Sequence, residues 1–240
     1  MQCEPYPIRA EWGDFPEVIV HSSIYRLKNL DGYYAAKFGD HEAATRIAME
    51  VIKPEKISFR VDYVVPVIQV DFLHYNAIPV AFGALLAKIL GARLWLGIYQ
   101  INKVEHTEAN AVDRIKNQPC FGGAVPKGTC LICDDVVTYG ASLANLRGFL
   151  INGGAKVVAA TTIGAAYGST KLSPDSRLIQ NLQRRYGQEL EEFTASLGFG
   201  SECLTSREAY FLAGLRTAHR LRTCFAEEAG SSNRQHCSRT

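Results

Sequence analysis

Two adjacent carboxylates, Asp134 and Asp135, close an apolar run and lead into a turn of small and hydroxyl-bearing residues: Val136, Val137, Thr138, Tyr139, Gly140, Ala141 and Ser142. A turn that feeds a helix presents backbone N–H groups that wrap a phosphate, and acids beside it suit ribose hydroxyls and a hydrated Mg2+. Thr138 and Ser142 add hydroxyl donors, while Gly140 lets the backbone approach closely or take a positive φ. On an extended strand the two acids point to opposite faces, so one can meet a sugar phosphate while the other orients the loop. The plainer alternative is an ordinary strand-to-helix connection in which Asp135 and Ser142 only cap backbone groups.

The elements around this motif read as a βα unit. Leu131 and Ile132 sit in a run typical of a parallel strand buried on both faces, whose carboxyl end is where ligands bind in open α/β sheets. Leu143, Leu146 and Leu150 recur at helical spacing, which predicts a helix from about Ser142, stopped by Gly153 and Gly154. Residues 156–163 follow as the next strand. Upstream, residues 18–24 read as a short strand, 41–52 as a helix capped by Asp40, 61–68 as a central strand with Pro66 at its exit, and 78–90 as a helix closed by Gly91. Residues 93–101 read as one strand, and a polar stretch covers 102–128. The alternation predicts an open, mostly parallel α/β sheet flanked by helices.

Beyond Gly168 the composition changes. Residues 178–193 read as one charged amphipathic helix, 197–203 as a connection, and 205–225 as a helix opened by a Thr205/Glu208 capping box. The expected organisation is an α/β domain over 1–168, a helical extension over 169–228, and a polar, disordered tail over 229–240.

At 240 residues, 47% of them hydrophobic, the chain can bury a full core. A net charge of +2 makes no general case for nucleic acid, although Arg216, His219, Arg220 and Arg222 make the last helix basic. The first fifteen residues carry Glu4, Glu11 and Asp14 and no long apolar run, so neither a secretory leader nor a membrane span is expected and the expected location is cytoplasmic. Seven cysteines at irregular spacing argue against a disulfide framework. Cys130 and Cys133 form a C-x-x-C inside the apolar strand with no second Cys/His pair at finger spacing, so they read as buried small hydrophobes.

The apolar strand, acidic pair, two aliphatics and Thr-x-Gly-x-Ser turn resemble the signature with which type I phosphoribosyltransferases bind 5-phosphoribosyl 1-diphosphate (PRPP). Lys37-Phe38-Gly39-Asp40, the loop after Pro66, and the stretch 107–117 are similar to successive elements of the competence-protein-F-like branch. The resemblance covers residues 18–165 and is strongest over 131–142. It implies that Asp134 and Asp135 hold ribose and, directly or through water, Mg2+, and that 138–142, with Val136 and Val137 before it, anchors the 5-phosphate. It also implies that 69–76 is the diphosphate loop, with Gln69, His74, Asn76 and, from a neighbouring segment, Lys37 as candidates, and that 103–117 is a flap carrying Lys103 and Arg114. Surface placement is the plain reading of Lys37, His106 and Arg114.

One departure matters: residues 69–76 contain no Arg or Lys, the residue types that active relatives usually place in the diphosphate loop. The resemblance implies a Mg2+-dependent enzyme transferring a phosphoribosyl group between diphosphate and a nitrogenous acceptor. The alternative is a catalytically weak or inactive PRPP- or nucleotide-binding sensor or effector that acts through its C-terminal helices. A nucleic-acid regulator built on the basic helix is a third reading. Apolar edge helices are compatible with a homodimer.

Overall fold

The computed structural model describes residues 8–69, 75–102, 111–215, 217, 221 and 223. Its main sheet has five strands, β1 (Ile19–Val20), β2 (Tyr63–Pro66) and β3 (Arg93–Leu94), followed later in the chain by two long strands. Between them lie the helices α1 (Ile24–Lys28), α2 (Tyr33–Lys37), α3 (His41–Val51) and α4 (Ile78–Leu90). After β3 come β4 (Ile98–Gln100), α5 (Ala111–Lys116) and β5 (Phe121–Gly123), then the long β6 (Thr129–Val137), α6 (Ala141–Asn152) and β7 (Lys156–Ala165). Three helices follow, α7 (Ser176–Tyr186), α8 (Gln188–Ser196) and α9 (Ser206–Gly214).

The strand order is β1-β7-β6-β2-β3 with every pairing parallel, so the predicted open parallel sheet is what forms. β6 is central, pairing with β2 on one side and β7 on the other, and its carboxyl end carries the acidic pair. Local chemistry accounts for the helices flanking it. Asp40 caps α3 by accepting the Ala43 N–H at 2.9 Å, and Gly91 ends α4 in the left-handed conformation. One face of the sheet packs Leu131 and Cys133 against α2, α3 and α4; the other packs Cys130 and Ile132 against Leu143, Leu146 and Leu150 of α6 and against Trp12. Cys130 and Cys133 therefore lie fully buried in different cores on opposite faces, as an odd spacing on a strand requires.

The outer side of α6 is also covered. Arg147 donates to the carbonyls of Ala10, Glu11 and Trp12 at 2.9–3.1 Å, strapping the segment before β1 across the helix. The crossing is so close that a Cβ on Gly148 would stand 2.1 Å from the Ile8 carbonyl. A third core joins Ile179, Leu182, Tyr186, Leu190 and Leu212 of α7–α9 to Ile115 of α5.

Several boundaries differ from the sequence expectation, among them the central strand expected over 61–68, which is Tyr63–Pro66, and the helix expected over 205–225, of which α9 ends at Gly214. Only Ile19–Val20 of 18–24 is strand, because the Ser23 hydroxyl accepts the Arg26 N–H and starts α1 at Ile24. The single strand expected over 93–101 is two, belonging to different sheets: after β3 the chain turns at Gly97, and β4 pairs antiparallel with β5. Trp95 fixes that departure by donating its Nε1–H to the Ala124 carbonyl at 2.8 Å. The single helix expected over 178–193 is broken at Gly187, whose φ of 53° and ψ of −126° separate α7 from α8. The stretch 102–128 holds α5 and β5. The predicted capping box of α9 is present, while Arg216, His219, Arg220 and Arg222 lie outside the described residues, as does the tail over 229–240.

Candidate functional site

β6 delivers the two acids to opposite sides of the sheet. The Asp135 side chain turns toward α2 and α4, where its Oδ2 accepts from Lys37 Nζ at 2.7 Å and from Asn76 Nδ2 at 3.2 Å. Its Oδ1 accepts the Val136 N–H at 2.8 Å. Burial alone would raise this carboxyl, but the Lys37 ammonium and the hydrogen bonds from Lys37 and Asn76 hold it below the usual carboxylate range. Lys37 is thus not a solvated lysine. It is half-buried and ion-paired across 98 residues of sequence.

Asp134 faces the other way. It lines an open cleft of about 320 Å³, counting its solvent-filled mouth, together with Arg114, Leu143 and the whole turn from Val136 through Val137, Thr138, Tyr139, Gly140 and Ala141 to Ser142. Burial and then the neighbouring charge of Asp135 push the Asp134 carboxyl well above its ordinary range, although the Asp135 N–H donates to it at 2.8 Å. The acid in the cleft is therefore the one whose negative charge is poorly compensated within the chain.

The turn itself is tightly determined. Gly140 sits at φ 83°, and a Cβ there would meet Leu172 Cδ2 at 2.5 Å, so both conformation and space select glycine. Gly140 is also the N-cap of α6 and supplies no side-chain acceptor, leaving the first-turn amides of a 12-residue helix without a side-chain cap. Arg114 of α5 donates its Nη1–H to Thr138 Oγ1 at 3.2 Å, which brings a guanidinium against the turn.

Of the other sequence candidates, Asn76 joins Asp135 as described, and Gln69 makes an isolated parallel bridge to Gln100 and is not among the residues lining the cleft. His74 and Lys103 lie outside the described residues, as do 70–74 and 103–110. Two contacts to the turn had no signal in the sequence: Ser169 Oγ donates to the Thr138 carbonyl, and Thr205 Oγ1 donates to the Tyr139 carbonyl at 2.6 Å. Thr205 was readable only as a helix cap. Ser169 stands in a loop with no pattern to mark it.

No known family profile matches the chain. Among curated proteins it is 31% identical to Protein TraN of Escherichia coli over 242 residues, covering 97% of this chain and 54% of that protein. It is also 31% identical over 159 residues to an uncharacterised protein of Haemophilus influenzae, covering 62% of this chain and 36% of that one. The chain thus spans about half the length, or less, of the curated relatives it matches. Similar solved structures include adenine phosphoribosyltransferase from Rhodothermus marinus, at 15% identity and a TM-score of 0.34 over 61% of this chain and 74% of that one. Orotate phosphoribosyltransferase from Aeropyrum pernix gives 19% identity and a TM-score of 0.33 over 62% of this chain and 68% of that one. Among the described residues no helix is long and apolar enough to cross a membrane.

Proposed function

We propose that the cleft binds the phosphoribosyl group of PRPP and that the chain transfers it between diphosphate and a nitrogenous small-molecule acceptor, as a phosphoribosyltransferase similar to the competence-protein-F-like branch. The observation that carries this reading is the α6 N-terminus, without a side-chain cap at Gly140, opposed by Arg114 and sharing its cleft with Asp134. Backbone amides, a helix dipole and a guanidinium together form a site for a phosphate dianion, and an acid beside them suits ribose hydroxyls. In this reading Thr138, Gly140, Ala141 and Ser142 hold the 5-phosphate, Arg114 closes over it, and Asp134 orients the ribose. Asp135 stays behind the strand and fixes the loop through Val136, Lys37 and Asn76.

Departure of diphosphate builds positive character at the anomeric carbon, so the site must fix the sugar, support the leaving group and keep out water. Asp134 fits a place beside Mg2+, because a cation would relieve a carboxyl that burial and Asp135 drive upward. Among the described residues no cluster of three or more His, Cys, Asp or Glu side chains stands ready to hold a metal, so the remaining ligands in this reading are phosphate, ribose and water oxygens. When bound, Mg2+ supplies charge compensation for the leaving diphosphate.

A second reading has its own support. Residues 69–76 bring no Arg or Lys, and Lys37, a cation that could have compensated, is engaged by Asp135 at 2.7 Å. A protein with this cleft and weak hold on diphosphate would bind PRPP or a nucleotide as a sensor or effector without turnover.

Calorimetric titration with PRPP, with and without Mg2+, followed by a diphosphate-release assay over a panel of nitrogen bases, separates the two. Binding with release is expected for the transferase, binding without release for the sensor, and no binding overturns both. Asp134→Asn and Gly140→Val are each expected to lower PRPP affinity at least about tenfold, the second by blocking the turn. Unchanged affinity in both variants would show that the cleft is only a connection between β6 and α6.

A further inference from the structure

We infer that the first turn of α9 is a clasp that sets the shape of the phosphate-binding turn, with Thr205 as its positioning residue; this rests on the PRPP-binding reading above. Thr205 makes two hydrogen bonds of different kinds. As the N-cap of α9 its oxygen accepts the Glu208 N–H at 3.2 Å, while its hydroxyl proton goes to the Tyr139 carbonyl at 2.6 Å. That second bond is not needed to cap a helix. Together with Ser169, which donates to the Thr138 carbonyl, it takes up the two carbonyls immediately before Gly140 from behind the turn. Leu172 fills the space where a Gly140 side chain would stand, and the Arg207 guanidinium lies 5.7 Å from the Tyr139 ring centroid. Carbonyls held from behind fix the peptide planes, and with them the direction of the amides that face a phosphate.

The same turn of α9 is also linked by hydrogen bonds to α5, which carries Arg114. Glu208 is held by Arg9 through two bonds of 2.7 and 2.8 Å, and Arg9 donates to Gln118 Oε1 at 2.8 Å. Gln118 in turn donates to the Ile115 carbonyl at 2.8 Å, at the end of α5, whose Arg114 meets Thr138. One helical turn thus spaces the guanidinium and the phosphate turn relative to each other. The pKa of Glu208 follows the arrangement: burial would raise it, and Arg9 with the Thr205 and Gln118 donors lowers it below the usual range.

A destabilised helix could mimic a lost clasp, so the test pairs Thr205→Val with Thr205→Ser and with Tyr186→Phe. Tyr186→Phe removes a buried bond to the Leu212 carbonyl in the same helical layer without touching the turn. PRPP–Mg2+ affinity is expected to fall about tenfold in Thr205→Val, to recover in Thr205→Ser, and to be unchanged in Tyr186→Phe at similar loss of thermal stability. Equal affinity in Thr205→Val and the wild type overturns the clasp. If the wild type binds no PRPP, the binding reading fails, and amide hydrogen exchange over 138–142 then decides the clasp by itself. Faster exchange in Thr205→Val than in Tyr186→Phe supports it, and equal exchange overturns it. If Thr205→Val does not fold, Ser169→Ala, which leaves the α9 cap intact, carries the same comparisons.

Discussion

Two charged pairs hold this molecule together at very different depths. Arg9–Glu208 is sealed, with side chains 1% and 0% exposed, and its polar atoms are absorbed by Asn145, Gln118, the Cys203 carbonyl and the Thr205 N–H. Lys37–Asp135 is half open, with Lys37 35% exposed and Asp135 7%. A sealed pair whose remaining donors and acceptors are satisfied tolerates the loss of no member, because any deletion strands a charge away from water. A half-open pair lets water replace part of what is lost. The contrast assigns the first to architecture, joining the segment before β1 to α6 and α9, and the second to the cleft's supporting wall, where it can be altered without unfolding the chain.

The largest effect should follow from breaking the sealed pair. Glu208→Ala is expected to cost about 3–5 kcal/mol, read from urea unfolding, because Arg9 then stays buried beside neutral partners. A loss below about 1 kcal/mol would mean that water reaches Arg9 and that the two pairs do not differ in kind. Lys37→Met is the matching test of the open pair. It should cost about 2 kcal/mol, less than the sealed pair because Asn76 and the Val136 N–H remain on Asp135. Removing the ammonium also removes the main influence that lowers Asp135, so its carboxyl should titrate at higher pH in Lys37→Met, visible by carboxyl-carbon NMR. Asp135 is lowered in the folded wild type, so its contribution to stability is present above the ordinary carboxylate pKa and lost as pH falls through the lowered value. Lys37→Met should lack that acid-labile part.

What could be read in advance divides along the same line. The β6–turn–α6 unit was legible because each of its determinants is local: an apolar run, two acids, a glycine that must take positive φ, and leucines at helical spacing. The caps of α3 and α9 were legible for the same reason. The break between α7 and α8 was not, since the charged amphipathic pattern continues across Gly187 and only its backbone angles interrupt it. Nor was the turn at Gly97, because residues on both sides are apolar and the partner that draws β4 away, β5, lies over twenty residues later. Both ion pairs are long-range, spanning 98 and 199 residues, and no periodicity marks them. Lys37 therefore looked like a surface lysine, and Arg9 had no visible role.

A third buried polar centre, neutral rather than paired, acts only within a pH window and gives a check on the comparison. His21 is fully buried; its Nδ1 accepts the Lys53 N–H at 2.8 Å, and its Nε2 lies 2.9 Å from Thr161 Oγ1. Thr161 already donates its hydroxyl proton to the Ile19 carbonyl, so it must accept from Nε2–H, and the ring is held as the neutral Nε2–H tautomer. Burial, then the charge of Lys56, lower its pKa to about 4, with Glu55 opposing. The unfolded chain takes up a proton near pH 6.5 where the folded one does not, so stability is full above pH 6.5 and declines as pH falls toward about 4. Across that window the wild type should lose about 2–3 kcal/mol more stability than His21→Gln, because Asp134, Asp135 and Glu208 are common to both chains. His21→Gln should lack that part and keep what the carboxylates contribute: the raised Asp134 opposes the loss as pH falls, and the lowered Asp135 and Glu208 add to it. A decline in His21→Gln as steep as the wild type's would assign the window to the carboxylates instead and show that the folded chain does not hold the His21 ring neutral.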